Sequence, residues 1–279
     1  MKVAAIQMVS GSSLPANLAR AAALLADAAA AGAELAVLPE YFCLLGQRDT
    51  DKLQIQEALG AGPIQDFLAT TARQLGIWIV GGTLPLTVVN ARGSSSRVRN
   101  STLVFNPAGD CVARYDKIHL FRFDNGHERF DESLLLEPGT EPVLFDLPAR
   151  DGQLWRIGLS ICYDLRFPEL YRLYAARGAH LMLVPSAFTH TTGRAHWELL
   201  LRARAVENLA YVLAPAQGGL HDNGRRTWGH SLLVDPWGEV LAEHAAADGE
   251  GEAVVLGTLD ATRLAQSRTQ LPALEHRTL

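Results

Sequence analysis

The chain has 279 residues, 48% of them hydrophobic and 20% charged, with a formal net charge of −5. That is an ordinary globular composition, in a chain long enough to bury most of its apolar surface without disulfides or metals. It lacks the basic footprint of a nucleic-acid binder. Three cysteines, Cys43, Cys111 and Cys162, lie far apart, which argues against a secreted disulfide framework. The opening run reaches Gln7 too soon for a signal-peptide core. The Ala-rich stretch from Ala21 to Ala33 carries Asp27 and is too short to span a bilayer. No membrane segment is expected, and the compartment expected is the cytoplasm.

Short apolar runs alternate with helical stretches, and all are expected to form one domain over 1–279. Residues 3–8 read as a buried strand. Pro15 to about Ala31 reads as a helix, with Pro in its first turn and Gly32 past its end. Strands follow at 35–38 and 77–80, with a helix at 62–75 between them. Residues 90–98 read as a surface loop. Residues 101–105 and 111–115 read as a hairpin about Asn106-Pro107-Ala108-Gly109. Residues 122–133 read as a charged loop. The second part repeats the alternation: a strand at 154–161, a helix at 168–177, a strand at 181–184, and a helix at 196–208. Strands close the series at 211–214, 231–234, 239–243 and 253–259. Such a mixture predicts helices layered on sheets.

Two internal echoes sharpen this α/β reading. Gly32-Ala33-Glu34-Leu35-Ala36-Val37-Leu38-Pro39 matches Gly178-Ala179-His180-Leu181-Met182-Leu183-Val184-Pro185 at its Gly, Ala, Leu and Pro positions. Leu103-Val104-Phe105-Asn106-Pro107-Ala108-Gly109 pairs with Leu232-Leu233-Val234-Asp235-Pro236-Trp237-Gly238 in the same order. Short matches arise by chance, but two in register suggest two similar halves, their sheets face to face and their helices outside.

Cys162 ends the strand Trp155–Ile161, just before a helix that begins at Pro168. A nucleophile at such a turn is exposed at a sheet end, with following N–H groups available to an oxyanion. A nearby helix start favours the thiolate. A buried, inert thiol is the alternative. The Gly158-Leu159-Ser160-Ile161-Cys162 segment lacks the last glycine of a serine-hydrolase elbow, so Ser160 is not the nucleophile. A thiol needs a base, and none of the nine histidines sits in a familiar protease context. Glu40 follows the 35–38 strand, where a carboxylate in an apolar mouth can accept a proton. Lys117 follows the 111–115 strand, where a buried ammonium would favour a thiolate and hold an oxyanion. Taken singly, each could be an ordinary surface residue.

Together these segments resemble a known family. Val-Leu-Pro-Glu40-Tyr-Phe, Tyr-Asp-Lys117-Ile-His-Leu-Phe and Ile-Cys162-Tyr163-Asp-Leu-Arg166-Phe-Pro-Glu169 are similar to the signature segments of the nitrilase superfamily. The resemblance implies an αββα four-layer sandwich. It implies Glu40 as general base, Lys117 as the stabiliser of the tetrahedral intermediate, and Cys162 as nucleophile. Glu132, before Glu137-Pro138-Gly139, matches the second glutamate of the family, although Asp131 is adjacent. Ala195-His196-Trp197-Glu198 and Trp228-Gly229-His230-Ser231 look most like the Nit branch, in particular its deaminated glutathione amidase group. That implies hydrolysis of a linear amide of 2-oxoglutarate. An omega-amidase acting on 2-oxoglutaramate, a carbamoylase, a nitrilase and a catalytically silent scaffold are the competing readings.

An anionic substrate needs a fixed cation. Arg166 could grip a carboxylate or pair with Glu169. Tyr163 and Phe188 could wall the pocket, although ordinary packing also explains Phe188. His196–Glu198 reads as the start of a helix, with Glu198 and Arg202 four apart and able to pair. No metal-ligand spacing and no nucleotide loop occurs, so no metal or cofactor is expected. Cys43 could line the mouth, although a packed thiol is the simpler reading. The resemblance implies a homodimer or larger homo-oligomer.

Overall fold

The computed structural model describes residues 1–90 and 93–278. The first part runs β1 (Lys2–Gln7), α1 (Leu14–Ala30), β2 (Leu35–Val37), α2 (Pro63–Leu75), β3 (Trp78–Val80), β4 (Leu84–Asn90), β5 (Gly93–Phe105) and β6 (Cys111–Asp116). A small hairpin of β7 (Arg122–Asp124) and β8 (Arg129–Asp131) follows. The second part runs β9 (Leu144–Pro148), β10 (Leu154–Leu159), α3 (Pro168–Ala176), β11 (Leu181–Leu183), α4 (His190–Asn208) and β12 (Tyr211–Ala214). Next come β13 (Gly218–Leu220), β14 (Arg226–Trp228), β15 (Leu232–Val234), β16 (Val240–Glu243), β17 (Ala253–Thr258) and α5 (Ala261–Gln270).

Two sheets carry the fold: a seven-stranded one, ordered β17-β1-β2-β3-β5-β4 with β6 also on β5, and a six-stranded one, ordered β16-β15-β12-β11-β10-β9. Their cores superimpose as patterns. β1, β2 and β3 pair in parallel, then β5 and β6 add antiparallel. β10, β11 and β12 pair in parallel, then β15 and β16 add antiparallel. The crossover helices α1 and α2 answer to α3 and α4. Both echoes fall on equivalent places: β2 with β11, and the β5–β6 turn with the β15–β16 turn.

Alternation along the strands separates the layers, because successive side chains point to opposite faces. Ala4, Ile6 and Ala36 join Leu24, Leu25, Leu68 and Ala72 from α1 and α2 in one apolar cluster. Val3, Ala5, Leu35 and Val37 join the other, with Ile157, Leu181, Leu183 and Leu213 of the second sheet. The two sheets therefore pack face to face, and the helices cover the outside. The helix ends follow their sequence: Pro63 opens α2, and Gly76 closes it with φ 63°, donating to the Ala72 carbonyl as a left-handed cap should.

Several boundaries differ from the sequence reading. Residues 93–98, expected in a loop, extend β5 and pair with β4; Ala91 and Arg92 lie outside the described residues. Backbone pairing with β4, rather than an apolar period of its own, marks that edge. The 122–133 loop holds the β7–β8 hairpin and a single 3-10 turn at Glu132–Leu134. α4 begins at His190, six residues before His196, because the Thr189 side chain caps it by accepting from Thr192 N–H. A 3-10 turn, Cys162–Arg166, stands between β10 and α3. β4, β9, β13, β14 and α5 were not read from the sequence.

Candidate active site

Three chain turns meet where the two sheets face each other. The first follows β2. Leu38 N–H donates to the Val80 carbonyl, and the chain then bends through Pro39, Glu40 and Tyr41, the last at φ 56°. Thr83 Oγ1 fixes this bend by accepting from Tyr41 N–H at 2.8 Å. Gly82 (φ 47°) lies so close that an added Cβ would sit 2.1 Å from the Pro39 carbonyl oxygen. Only glycine fits there.

The second turn follows β6 and buries Lys117 completely, at 1% exposure. Its Nζ lies 2.8 Å from Glu40 and 2.9 Å from Glu132. Both carboxylates are themselves tied down. Glu40 accepts from Asn100 Nδ2 at 2.9 Å and from Ala187 N–H at 2.9 Å. Glu132 accepts from Tyr41 Oη at 2.9 Å and from Phe121 N–H at 2.7 Å. Asp131 turns away to cap Ser133.

The third turn carries Cys162, 8% exposed and at φ 48°. A left-handed non-glycine residue stores strain that the surroundings must hold. Asp164 supplies that hold. Completely buried, it accepts from Ile161 N–H (2.9 Å), His119 N–H (2.9 Å) and Tyr115 Oη (2.7 Å). It also meets His119 Nδ1 at 2.7 Å. One carboxylate thus ties the cysteine turn to the lysine turn. Cys162 N–H donates to the Pro185 carbonyl at 3.0 Å, fixing it against the end of β11.

The electrostatics follow from this burial. Burial pushes the Cys162 thiol well above its ordinary range, and Glu40 adds to the rise; Lys117 and the Ala187 N–H pull weakly against it. The resting thiol is therefore neutral at pH 7, and attack requires a base. Burial alone would lower Lys117, but Glu132, Glu40 and Cys162 outweigh it and hold the ammonium charged. Burial opposes ionisation of Glu132 too, yet Lys117 and the Phe121 N–H bring its carboxyl below the usual value.

The narrow cleft over these groups is lined by Glu40, Lys117, Glu132, Cys162, Tyr163, Arg166, Phe188 and Arg225, among others. Its charged core, a neutral thiol beside a carboxylate and a buried ammonium, is suited to acyl transfer. The matches to known proteins agree. Residues 2–269 match the carbon-nitrogen hydrolase family. The chain belongs to that family. It is accordingly a hydrolase of carbon–nitrogen bonds other than peptide bonds. The deaminated glutathione amidase of Synechocystis sp. (strain PCC 6803 / GT-S) is 39% identical over 276 residues, covering 98% of this chain and 97% of that protein. Omega-amidase NIT2 of Homo sapiens is 37% identical over 277 residues, covering 99% and 94%. The crystal structure of Saccharomyces cerevisiae Nit3, of branch 10 of the nitrilase superfamily, superposes with TM-score 0.84 at 33% identity, covering 100% and 97%. The carbon-nitrogen hydrolase fold of this chain is the four-layer sandwich described above.

All seven residues singled out from the sequence line this one cleft. Arg166 has no carboxylate within ion-pair distance among the described residues, so the Glu169 pairing does not form. Its guanidinium instead lies 5.8 Å from the ring centres of both Tyr163 and Phe188, with a single 3.3 Å contact to His196 Nδ1. Cys43 does not line the cleft; it is buried, and its thiol faces the Thr83 carbonyl at 3.5 Å. Sequence reasoning missed Tyr41, Asn100, Asp164 and Arg225. Tyr41 and Asp164 adjoin the singled-out residues, which was a usable signal. Nothing local marks Asn100 or Arg225.

Proposed function

We propose that the chain, as a single domain over 1–279, is a thiol amidase in which Cys162 attacks the carbonyl of a linear amide. The observation that carries this reading is Glu40, Lys117 and Glu132 hydrogen-bonded in line beside the buried Cys162 thiol. Glu40 takes the Cys162 proton as sulfur attacks, and the carbonyl oxygen becomes an oxyanion held by Lys117 and by the Tyr163 N–H of the cysteine turn. Glu40 returns the proton to the departing nitrogen, leaving a thioester. It then takes a proton from water, whose attack releases the acid and restores the thiol. Glu132 keeps Lys117 in place and charged.

The acyl group proposed is that of 2-oxoglutarate, its carboxylate gripped by Arg166 between Tyr163 and Phe188. The preferred substrate is deaminated glutathione, giving 2-oxoglutarate and Cys-Gly; the names of similar proteins support it. The name of the human relative supports a second reading, omega-amidase action on 2-oxoglutaramate. No cofactor takes part in the steps proposed.

The test is turnover of deaminated glutathione, 2-oxoglutaramate, a carbamoylated amine and a nitrile by wild type and by Cys162→Ala. Hydrolysis of deaminated glutathione that vanishes in Cys162→Ala is expected. Rates equal in the two proteins would overturn the reading. A soluble cytoplasmic homodimer is also proposed. Support is limited to the family resemblance and, among the described residues, to the lack of any helix long and apolar enough to cross a membrane. Sedimentation at only the 30.2 kDa mass of one chain would refute the dimer.

A further inference from the structure

Beside the reaction cleft opens a second, wider chamber of about 410 Å³. Tyr41 and Arg225 line both. A primary amide releases only ammonia and has no use for such a space. We propose that the outer chamber is a leaving-group subsite for an amine bearing a carboxylate, held by Arg225 together with Lys52. This rests on the amidase reading above.

The chamber's charges point that way. Arg48, Lys52, Arg225 and Arg226 face it, against Asp49 and Glu128. Arg48 is paired with Asp51 at 3.3 Å, and Arg226 with Glu250 at 2.9 Å and Asp248 at 3.1 Å. Glu128 accepts from Thr191 Oγ1 at 3.1 Å. Among the described residues, Arg225 and Lys52 have no carboxylate within ion-pair distance. The Arg225 Nε–H is buried and has no acceptor. A buried donor left without a partner is costly, and a carboxylate is the acceptor a guanidinium fits best.

Both cations are held ready. Arg225 lies over the Phe130 ring, 4.8 Å from its centre. Its own N–H donates to Asn223 Oδ1 at 2.9 Å, and its carbonyl accepts from His221 N–H at 2.9 Å. Asn223 Nδ2 donates to the Gly46 carbonyl at 2.7 Å, tying this loop to the segment that carries Lys52. Lys52 Nζ lies 4.8 Å from the centre of the Tyr41 ring. Burial lowers Lys52, and Arg225 repels it, while Glu132, Asp49 and Glu40 act in the opposite sense. Two like charges sharing a chamber are relieved by an anion between them. The cleft then offers one cation to each end of an extended dianion: Arg166 to the acyl carboxylate and Arg225 to the leaving group.

The experiment compares kcat/KM for two amides of 2-oxoglutarate, the primary amide and the amide of Cys-Gly. Wild type, Arg225→Met, Lys52→Met and Arg225→Lys are assayed. Direct binding of Cys-Gly to the same proteins is measured by calorimetry. The preference for the Cys-Gly amide should fall roughly ten- to hundredfold in Arg225→Met, the usual effect of losing a charged hydrogen bond. The loss should lie chiefly in KM, be smaller in Lys52→Met, and be partly restored in Arg225→Lys. Cys-Gly binding should weaken in parallel. An unchanged preference, or Cys-Gly binding equally to wild type and Arg225→Met, would overturn the assignment. Should wild type hydrolyse neither amide, the amidase reading fails, and the dipeptide binding alone decides the subsite.

Discussion

At the scale of single residues, the site is a buried charge cluster whose parts depend on one another. Lys117 holds two buried carboxylates, Glu40 and Glu132, by ion pairs. Lys117→Met therefore leaves two desolvated acids, and breaking a buried pair in this way costs about 3–5 kcal/mol. Without the ammonium, burial would raise the Glu132 carboxyl above its unfolded value. The variant should thus lose more stability at pH 8 than at pH 5, as urea unfolding at the two pH values can check. Wild-type Glu132 runs the other way. Its folded value is lowered, so its contribution is present above the ordinary carboxyl value, about 4.3, and is lost as pH falls through the folded value. The stability gap between wild type and Glu132→Gln should be open at pH 7 and should narrow as pH falls below the ordinary carboxyl value. A constant gap across that range would show that packing, not charge, is what Glu132 supplies.

The residue scale also shows what the sequence disclosed. Glu40, Lys117 and Cys162 were legible because each ends an apolar strand, within a run of residues that resembles a known pattern. Their supports were not. Asn100 lies on the polar strand β5, whose Ser and Arg residues carry no strand signature, and it reaches Glu40 only through sheet pairing. Arg225 stands beside a second arginine with nothing local to tell the two apart, yet of the two only Arg226 is salt-bridged among the described residues.

At the scale of elements, the turns after β2, β6 and β10 do the positioning. Asp164 joins two of them, with backbone or side-chain donors from Ile161, His119 and Tyr115. Asp164→Ala orphans these donors, each at about 1–3 kcal/mol, and releases the strained Cys162 turn. A fall in kcat with little change in KM is expected, together with a lower Tm. Asp164→Asn keeps the acceptor and should recover part of the Tm. The β2 turn has its own constraint at Gly82, where a methyl group would collide with the Pro39 carbonyl. Gly82→Ala should cost stability and displace Glu40; an unchanged kcat would show that the bend yields. The elements missed from the sequence share a cause. α5 has only Leu264 and Ser267 buried, and β13–β14 is a short hairpin outside both main sheets. Their positions depend on tertiary contacts that no local period records.

At the scale of the whole molecule, the two sheets are closed upon each other by the chain's return. β17 comes back from the second half to pair with all of β1, and Met1 N donates to the Leu259 carbonyl at 3.0 Å. Gln7 adds side-chain bonds to the carbonyls of Gly249 (2.7 Å) and Gly251 (2.9 Å). A chain ending before residue 245 would expose the β1 edge and the apolar face that Val255 and Leu264 help cover. It is expected to aggregate rather than fold, which light scattering would detect; a soluble, active fragment would refute this closure.

The repeat of one strand pattern in two halves has a consequence for how activity arises during synthesis. Glu40, Lys117 and Glu132 are all made before residue 140, and Cys162 only afterwards. A ribosome that stalls between them yields a fragment holding Glu40, Lys117 and Glu132 but not Cys162, Arg166 or Arg225. Conversely, the second half alone carries an unguarded cysteine with neither base nor counter-ion. On the proposed amidase mechanism, reactivity is expected only when the two halves dock, so complementation of separately made halves would read out their assembly directly.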